Sequence, residues 1–127
     1  VKQSQINLAP LEKALKSLER AVAQPKDEFS RDSVIQRFEY TFELCWKVLQ
    51  RWLEADRPLD DTSVRGILRT AATRGLIGNL DLWFEFQRAR NLTSHTYNEV
   101  TAEEVYAVAL KITDPARELL SKLKTGH

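Results

Sequence analysis

Apolar residues recur along this chain at steps of three and four, with no sustained alternation of apolar and polar positions. That pattern predicts helices and no sheet. Leu8, Leu11, Leu15, Leu18 and Val22 form the first stripe, a helix over about residues 3–24. Pro10 stands where an ordered helix can begin, and Pro25 closes the segment. A second helix is expected over about residues 30–56, capped by Ser30 or Asp32 and stopped by Pro58. Within it Phe38, Phe42, Cys45, Leu49 and Trp52 follow the stepping of a helix–helix seam. Ile35, Trp46 and Leu53 widen that face, which implies a second seam open to another subunit.

A shorter helix over about residues 63–74 turns Val64, Ile67, Leu68 and Ala71 inward, with Gly75 as its C-cap. Asn79 or Asp81 caps a fourth, which carries Leu82, Trp83 and Phe86. The fifth is expected to start near Thr101, where Thr101 and Glu104 make a capping box. Val105, Val108, Leu110, Ile112, Leu119 and Leu123 supply its apolar side; Pro115 should kink it, and the tail from Lys124 to His127 should fray. The expected architecture is all-α: an up-and-down antiparallel four-helix bundle with a short extra helix, one domain over residues 1–127.

Nineteen basic against eighteen acidic residues leave a formal charge of +1. Bulk polycation binding to nucleic acid is thereby excluded, and any such contact must come from local clustering. Cys45, the one cysteine, has no disulfide partner and reads as a small core residue. Every apolar stretch is broken by charges, so neither a signal peptide nor a membrane span is expected, and the expected location is the cytoplasm.

Chemistry concentrates between Arg88 and Glu99, where Arg88, Arg90, Asn91, His95 and Tyr97 follow an apolar, aromatic run. Imidazole exchanges protons near neutrality, and guanidinium is shaped to hold phosphate through paired donors, so the group reads as a site for phosphate-ester chemistry. Residues four apart share a helix face, which would join Asn91 to His95; Arg90 and Tyr97, seven apart, share another. Arg90 and His95, five apart, diverge by about 140° on a regular helix. Either the helix ends between them, or a working site takes Arg90 from one chain and His95 from another. The plainer alternative is that His95 offsets a helix dipole while Arg90 pairs with a nearby acid.

Arg90-Asn91-x-x-x-His95 resembles the signature of the HEPN superfamily of helical nucleotide-binding and ribonuclease domains, and Arg90-x-x-x-x-His95-x-Tyr97 resembles its subgroup paired with minimal nucleotidyltransferases. The stretches Ile35–Lys47, Arg74–Ile77, Trp83 and Ser94–Glu99 extend the likeness to the nucleotidyltransferase substrate-binding proteins; Asn98 stands where many relatives carry aspartate. The resemblance implies a homodimeric toxin of a toxin–antitoxin pair: a metal-independent endoribonuclease with the motifs of both chains meeting in a cleft. Arg90, Asn91 and His95 would be catalytic, Arg88 would contact RNA substrate, and no metal or cofactor is implied. Tyr97 would accept AMP from the partner nucleotidyltransferase, silencing the nuclease; its plainer role is a hydroxyl tie at the bundle end. The other class of function is a non-catalytic substrate-binding subunit of a two-component nucleotidyltransferase. Trp46, Trp52 and Trp83 are expected in core or interface rather than stacked on bases. Glu43 is expected to pair with Lys47 four residues on rather than with Glu39 as an acid pair, and Asp60-Asp61 to be turn acids.

Overall fold

The computed structural model describes residues 2–125, so the expected fraying of Gly126 and His127 lies outside the described residues. After a short 3-10 turn at Gln3–Gln5 come six helices: α1 (Ala9–Val22), α2 (Glu28–Asp56), α3 (Val64–Thr73), α4 (Leu80–Asn91), α5 (Glu99–Ala109) and α6 (Thr113–Thr125). The described residues form no strand, and none of their helices is long and apolar enough to cross a membrane. Helix α2 is the spine. The α1 segment and α4 run antiparallel to it, as cross-helix contacts show: Ser17 lies opposite Arg37 and Gln3 opposite Trp52, while Trp83 meets Phe42 and Phe86 meets Phe38. Helices α1, α2, α4 and the α5–α6 pair make the four-helix bundle, and α3 is the extra helix.

Two helix starts differ from the expected ones. Asp27, rather than Ser30 or Asp32, caps α2: its carboxylate accepts from the Ser30 N–H at 2.7 Å, and the Ser30 hydroxyl accepts from the Asp27 N–H at 2.8 Å. Ser30 is therefore the return half of a capping box. Asn98, rather than Thr101, caps α5, its Oδ1 accepting from the N–H groups of Val100 and Thr101 at 2.9 and 3.2 Å. A carboxamide oxygen does there what an aspartate oxygen would do, so asparagine serves the cap as well. Asn79 caps α4, and Gly75, just past α3, takes the left-handed conformation (φ 76°) that closes that helix.

Pro115 stands at the start of a helix instead of kinking one. The chain breaks at Leu110–Ile112 and restarts, so that proline occupies the first turn of α6, where its missing N–H costs nothing. The break rotates Leu110 outward to 38% exposure, against the expectation, while Ala109, Ile112 and Ala116 go inside.

Most of the wide face of α2 is covered within one chain. Val34, Ile35, Phe38, Phe42, Cys45, Val48, Leu49, Trp52 and Leu53 are all buried by the chain's own helices, while Trp46 stays half-buried at the edge. Burial leaves the Cys45 thiol without solvation for its anion and pushes its pKa up to about 12. At the centre Trp83, 2% exposed, sets its ring 5.2 Å from Phe86 edge-on and 6.4 Å from Phe42. Truncating Trp83 to alanine should lower the unfolding free energy by about 3–5 kcal/mol, read from a urea titration; the half-buried Trp46→Ala should cost far less.

Candidate functional site at the end of helix α4

Helix α4 ends at Asn91 and the chain tightens into a 3-10 turn over Thr93–His95 before Asn98 starts α5. Of the two ways to reconcile Arg90 with His95, the chain takes the first: the helix stops between them. The face shared by Asn91 and His95 on a continuous helix is lost with it, and so is that of Arg90 and Tyr97. The turn is held by backbone bonds from His95 N–H to Leu92 O (2.9 Å) and from Asn98 N–H to His95 O (3.1 Å). Thr96 donates its hydroxyl to Thr93 O at 3.1 Å.

Two acids on α2 reach over this turn. The Arg90 Nε–H donates to Glu43 Oε1 at 2.5 Å, and the pair is partly buried. The Thr93 hydroxyl lies between the carboxylate of Glu39 and the Arg90 carbonyl, 2.7 Å away, and its single proton serves one of them at a time. The expected Glu43–Lys47 pair does not form; Lys47 sits 5.7 Å from the centre of the Trp46 ring instead. Arg90 outcompetes Lys47 because packing of Trp83 and Phe86 on Phe38 and Phe42 brings α4 alongside the Glu39/Glu43 face. Both acids were visible in the sequence as an i, i+4 pair, but only the pairing of α2 with α4 assigns them to the motif.

The Glu43 bond uses Nε alone, so the two terminal nitrogens of Arg90 make no hydrogen bond within the described chain. His95 is exposed, and its imidazole likewise makes no hydrogen bond; its ring centre lies 6.2 Å from that of Tyr97, edge-on at 71°. Tyr97 is 85% exposed. Asn91 and Arg88 are exposed too, and they line a shallow cleft of about 280 Å³ with Arg65, Phe84 and Gln87. Arg90, His95 and Tyr97 are thus neighbours along one turn, while Arg88 and Asn91 open onto the α3 side. The described residues hold no group of three or more His, Cys, Asp or Glu side chains placed to share a metal ion.

Beyond the turn, Arg31 fastens the start of α5 to α2. This buried guanidinium donates from Nη1 to Glu99 (2.7 Å) and Glu103 (3.1 Å), from Nη2 to Glu99 (3.2 Å), and from Nε to Asp32 (3.1 Å). Its hydrogen bond holds the Glu99 carboxyl below the ordinary value of 4.5; Lys26 first and Arg31 second do the same for Glu103.

The family model for proteins described as nucleotidyltransferase substrate binding protein like matches residues 6–125 of the chain. A Haemophilus influenzae protein named "Probable ribonuclease HepT" is 37% identical, over 80% of this chain and 81% of its own. Among solved structures, a Haemophilus influenzae protein described as the fold of a substrate binding domain of a nucleotidyltransferase is 32% identical, covering 94% of this chain and all of its own at a TM-score of 0.84. A Thermus thermophilus protein is 34% identical, covering 90% of this chain and 98% of its own at a TM-score of 0.82.

Lowered carboxyl pKa values in the folded state stabilise it above the unfolded-state value, and that contribution drains away as pH falls through the folded-state values. Wild-type stability should therefore drop below about pH 4.5 more steeply than that of Arg31→Met, whose thioether still fills the space of the arginine stem. Chemical denaturation at a series of pH values checks this; parallel acid limbs would show that Arg31 contributes nothing there.

Proposed function

Because the chain belongs to the nucleotidyltransferase substrate binding protein like family of the HEPN superfamily, we propose that it is the toxin of a toxin–antitoxin pair: a metal-independent endoribonuclease that acts as a homodimer in the cytoplasm. What supports the reading is an exposed, unengaged imidazole on the turn that follows a guanidinium oriented through its Nε, with both terminal nitrogens still to be paired. The relative named as a ribonuclease supports it at family level.

In the proposed reaction His95 accepts the proton of a ribose 2′-hydroxyl, and the 2′-oxygen attacks the adjacent phosphorus. The P–O5′ bond breaks as the O2′–P bond forms, leaving a 2′,3′-cyclic phosphate and a 5′-hydroxyl. The 5′-oxygen takes its proton from a second, protonated imidazole, His95 of the other copy in the dimer. Arg90 offers its terminal N–H groups to the phosphorane oxygens, where charge builds up, while Glu43 fixes the plane of the guanidinium. Asn91 and Arg88 bind the RNA on the α3 side.

Tyr97 is the proposed acceptor of AMP from a partner minimal nucleotidyltransferase, the antitoxin. Its phenol oxygen attacks the α-phosphorus of ATP and pyrophosphate leaves. The ring stands out from the surface, beside His95, so an attached nucleotide would cover the imidazole and bring a phosphate toward Arg90. A second reading, a non-catalytic subunit that presents substrate to a nucleotidyltransferase, is favoured by the description of the solved Haemophilus influenzae relative.

His95→Ala should lower RNA cleavage by about 10²–10⁴-fold with the helical circular dichroism unchanged; full activity in that variant sinks the nuclease. Glu43→Gln should reduce kcat more than it raises KM, since the amide still fills the space but holds the guanidinium less tightly. Incubation with the partner nucleotidyltransferase and ATP should add one AMP to Tyr97 by mass spectrometry, and Tyr97→Phe should abolish the addition.

A further inference from the structure

We propose that α3 and α4 carry a second RNA contact, a phosphodiester-binding strip made by Arg65, Arg69 and Arg88 around the ring of Phe84, which leads a single RNA strand into the site past Asn91. The inference rests on the nuclease reading for its ligand and for Arg88, and on Arg65, Arg69 and Phe84, which that reading does not use, for its evidence. Arg65 and Arg69 are one turn apart on α3, about 6 Å along its axis, and both are exposed. Their guanidinium carbons lie 3.9 and 5.5 Å from the centre of the Phe84 ring. Arg88 stands one turn beyond Phe84 on α4, on the wall of the same cleft, which ends at Asn91.

Charge distinguishes these arginines from the others near the site. Arg31 and Arg90 are each neutralised by carboxylates, whereas Arg65, Arg69 and Arg88 make no ion pair among the described residues. Asp61 feels the charge of Arg69 at a distance, but its hydrogen bonds go to Ser63 at the cap of α3, so it forms no ion pair with that arginine. The chain as a whole carries only +1, so three arginines without an ion pair, Arg65 and Arg88 on the cleft and Arg69 beside it over the same ring, are a local concentration. Cation–π contact with Phe84 holds the guanidinium groups without cancelling their charge and leaves N–H groups for oxyanions. Phosphates repeated along a strand match guanidinium groups repeated along a helix. Because Arg65 already covers the ring, the strip grips backbone rather than stacking bases, which predicts little sequence preference.

The test is made in the His95→Ala chain, so that binding is read without cleavage. Anisotropy of a fluorescent single-stranded RNA of about twenty nucleotides, titrated over a salt series, should give at least tenfold weaker binding for Arg65→Gln/Arg69→Gln. The slope of log affinity against log salt should fall by about 1.4, the value for two lost phosphate contacts on a single strand. Arg65→Lys/Arg69→Lys should restore most of the slope. Unchanged affinity and slope overturn the strip. So does intact RNA binding with loss of capture by the nucleotidyltransferase, which gives the surface to a protein partner. A chain that binds RNA through these arginines yet never cleaves it upholds the strip and sinks the nuclease. Cleavage at unchanged KM in the glutamine variant, made with His95 intact, does the reverse.

Discussion

The contact between α2 and α4 through Phe38, Phe42, Trp83 and Phe86 is the constraint on which the remaining structure depends. Aromatic rings bury large apolar areas and prefer edge-on or offset packing, so four of them fix both the spacing and the rotation of two helices. Once that rotation is set, Glu39 and Glu43, each one residue after a core phenylalanine, come to lie beside the last turn of α4. There they meet Thr93 and Arg90. The polar arrangement at the surface is thus a consequence of apolar packing a few ångströms below it.

Electrostatic roles then divide by partner. Arg31 is buried and saturated by three carboxylates, which makes it a fastener between α2 and α5. Arg90 is held at one nitrogen and open at two, the condition of a group that must be oriented yet still bind. Arg65, Arg69 and Arg88 are supported by an aromatic ring or by solvent alone and retain their charge. Five arginines of one chemical type therefore sit in three different electrostatic settings, and only their neighbours tell them apart.

Much of the bundle could be read from periodicity, because the stepping of Leu11, Leu15 and Leu18, or of Phe38, Phe42, Cys45 and Leu49, admits one buried face. Helix ends were less legible. Asp27 and Ser30, or Asn98 and Thr101, offer the backbone competing caps within three residues, and each choice turns on small differences in where the loop enters. Leu110 was misplaced because its inward position assumed one continuous helix across Pro115, and the break changes the phase of everything around it. The motif Arg90–Asn91–His95–Tyr97 stood out as a string of residues, but the angular conflict within it admitted two solutions until the end of α4 was located.

By itself the amino-acid order determined the all-helical class, most of the interior side chains and the run of chemically capable residues, since those follow from local propensity and spacing. Tertiary structure alone decided that Glu43 serves Arg90 rather than Lys47, that most of the broad face of α2 is covered within one chain, and that Arg65 and Arg69 gather with Arg88 about Phe84. The reason is distance along the chain: each of those outcomes joins groups on different helices, and no local rule states which of several acids, rings or faces the folded backbone will bring within reach.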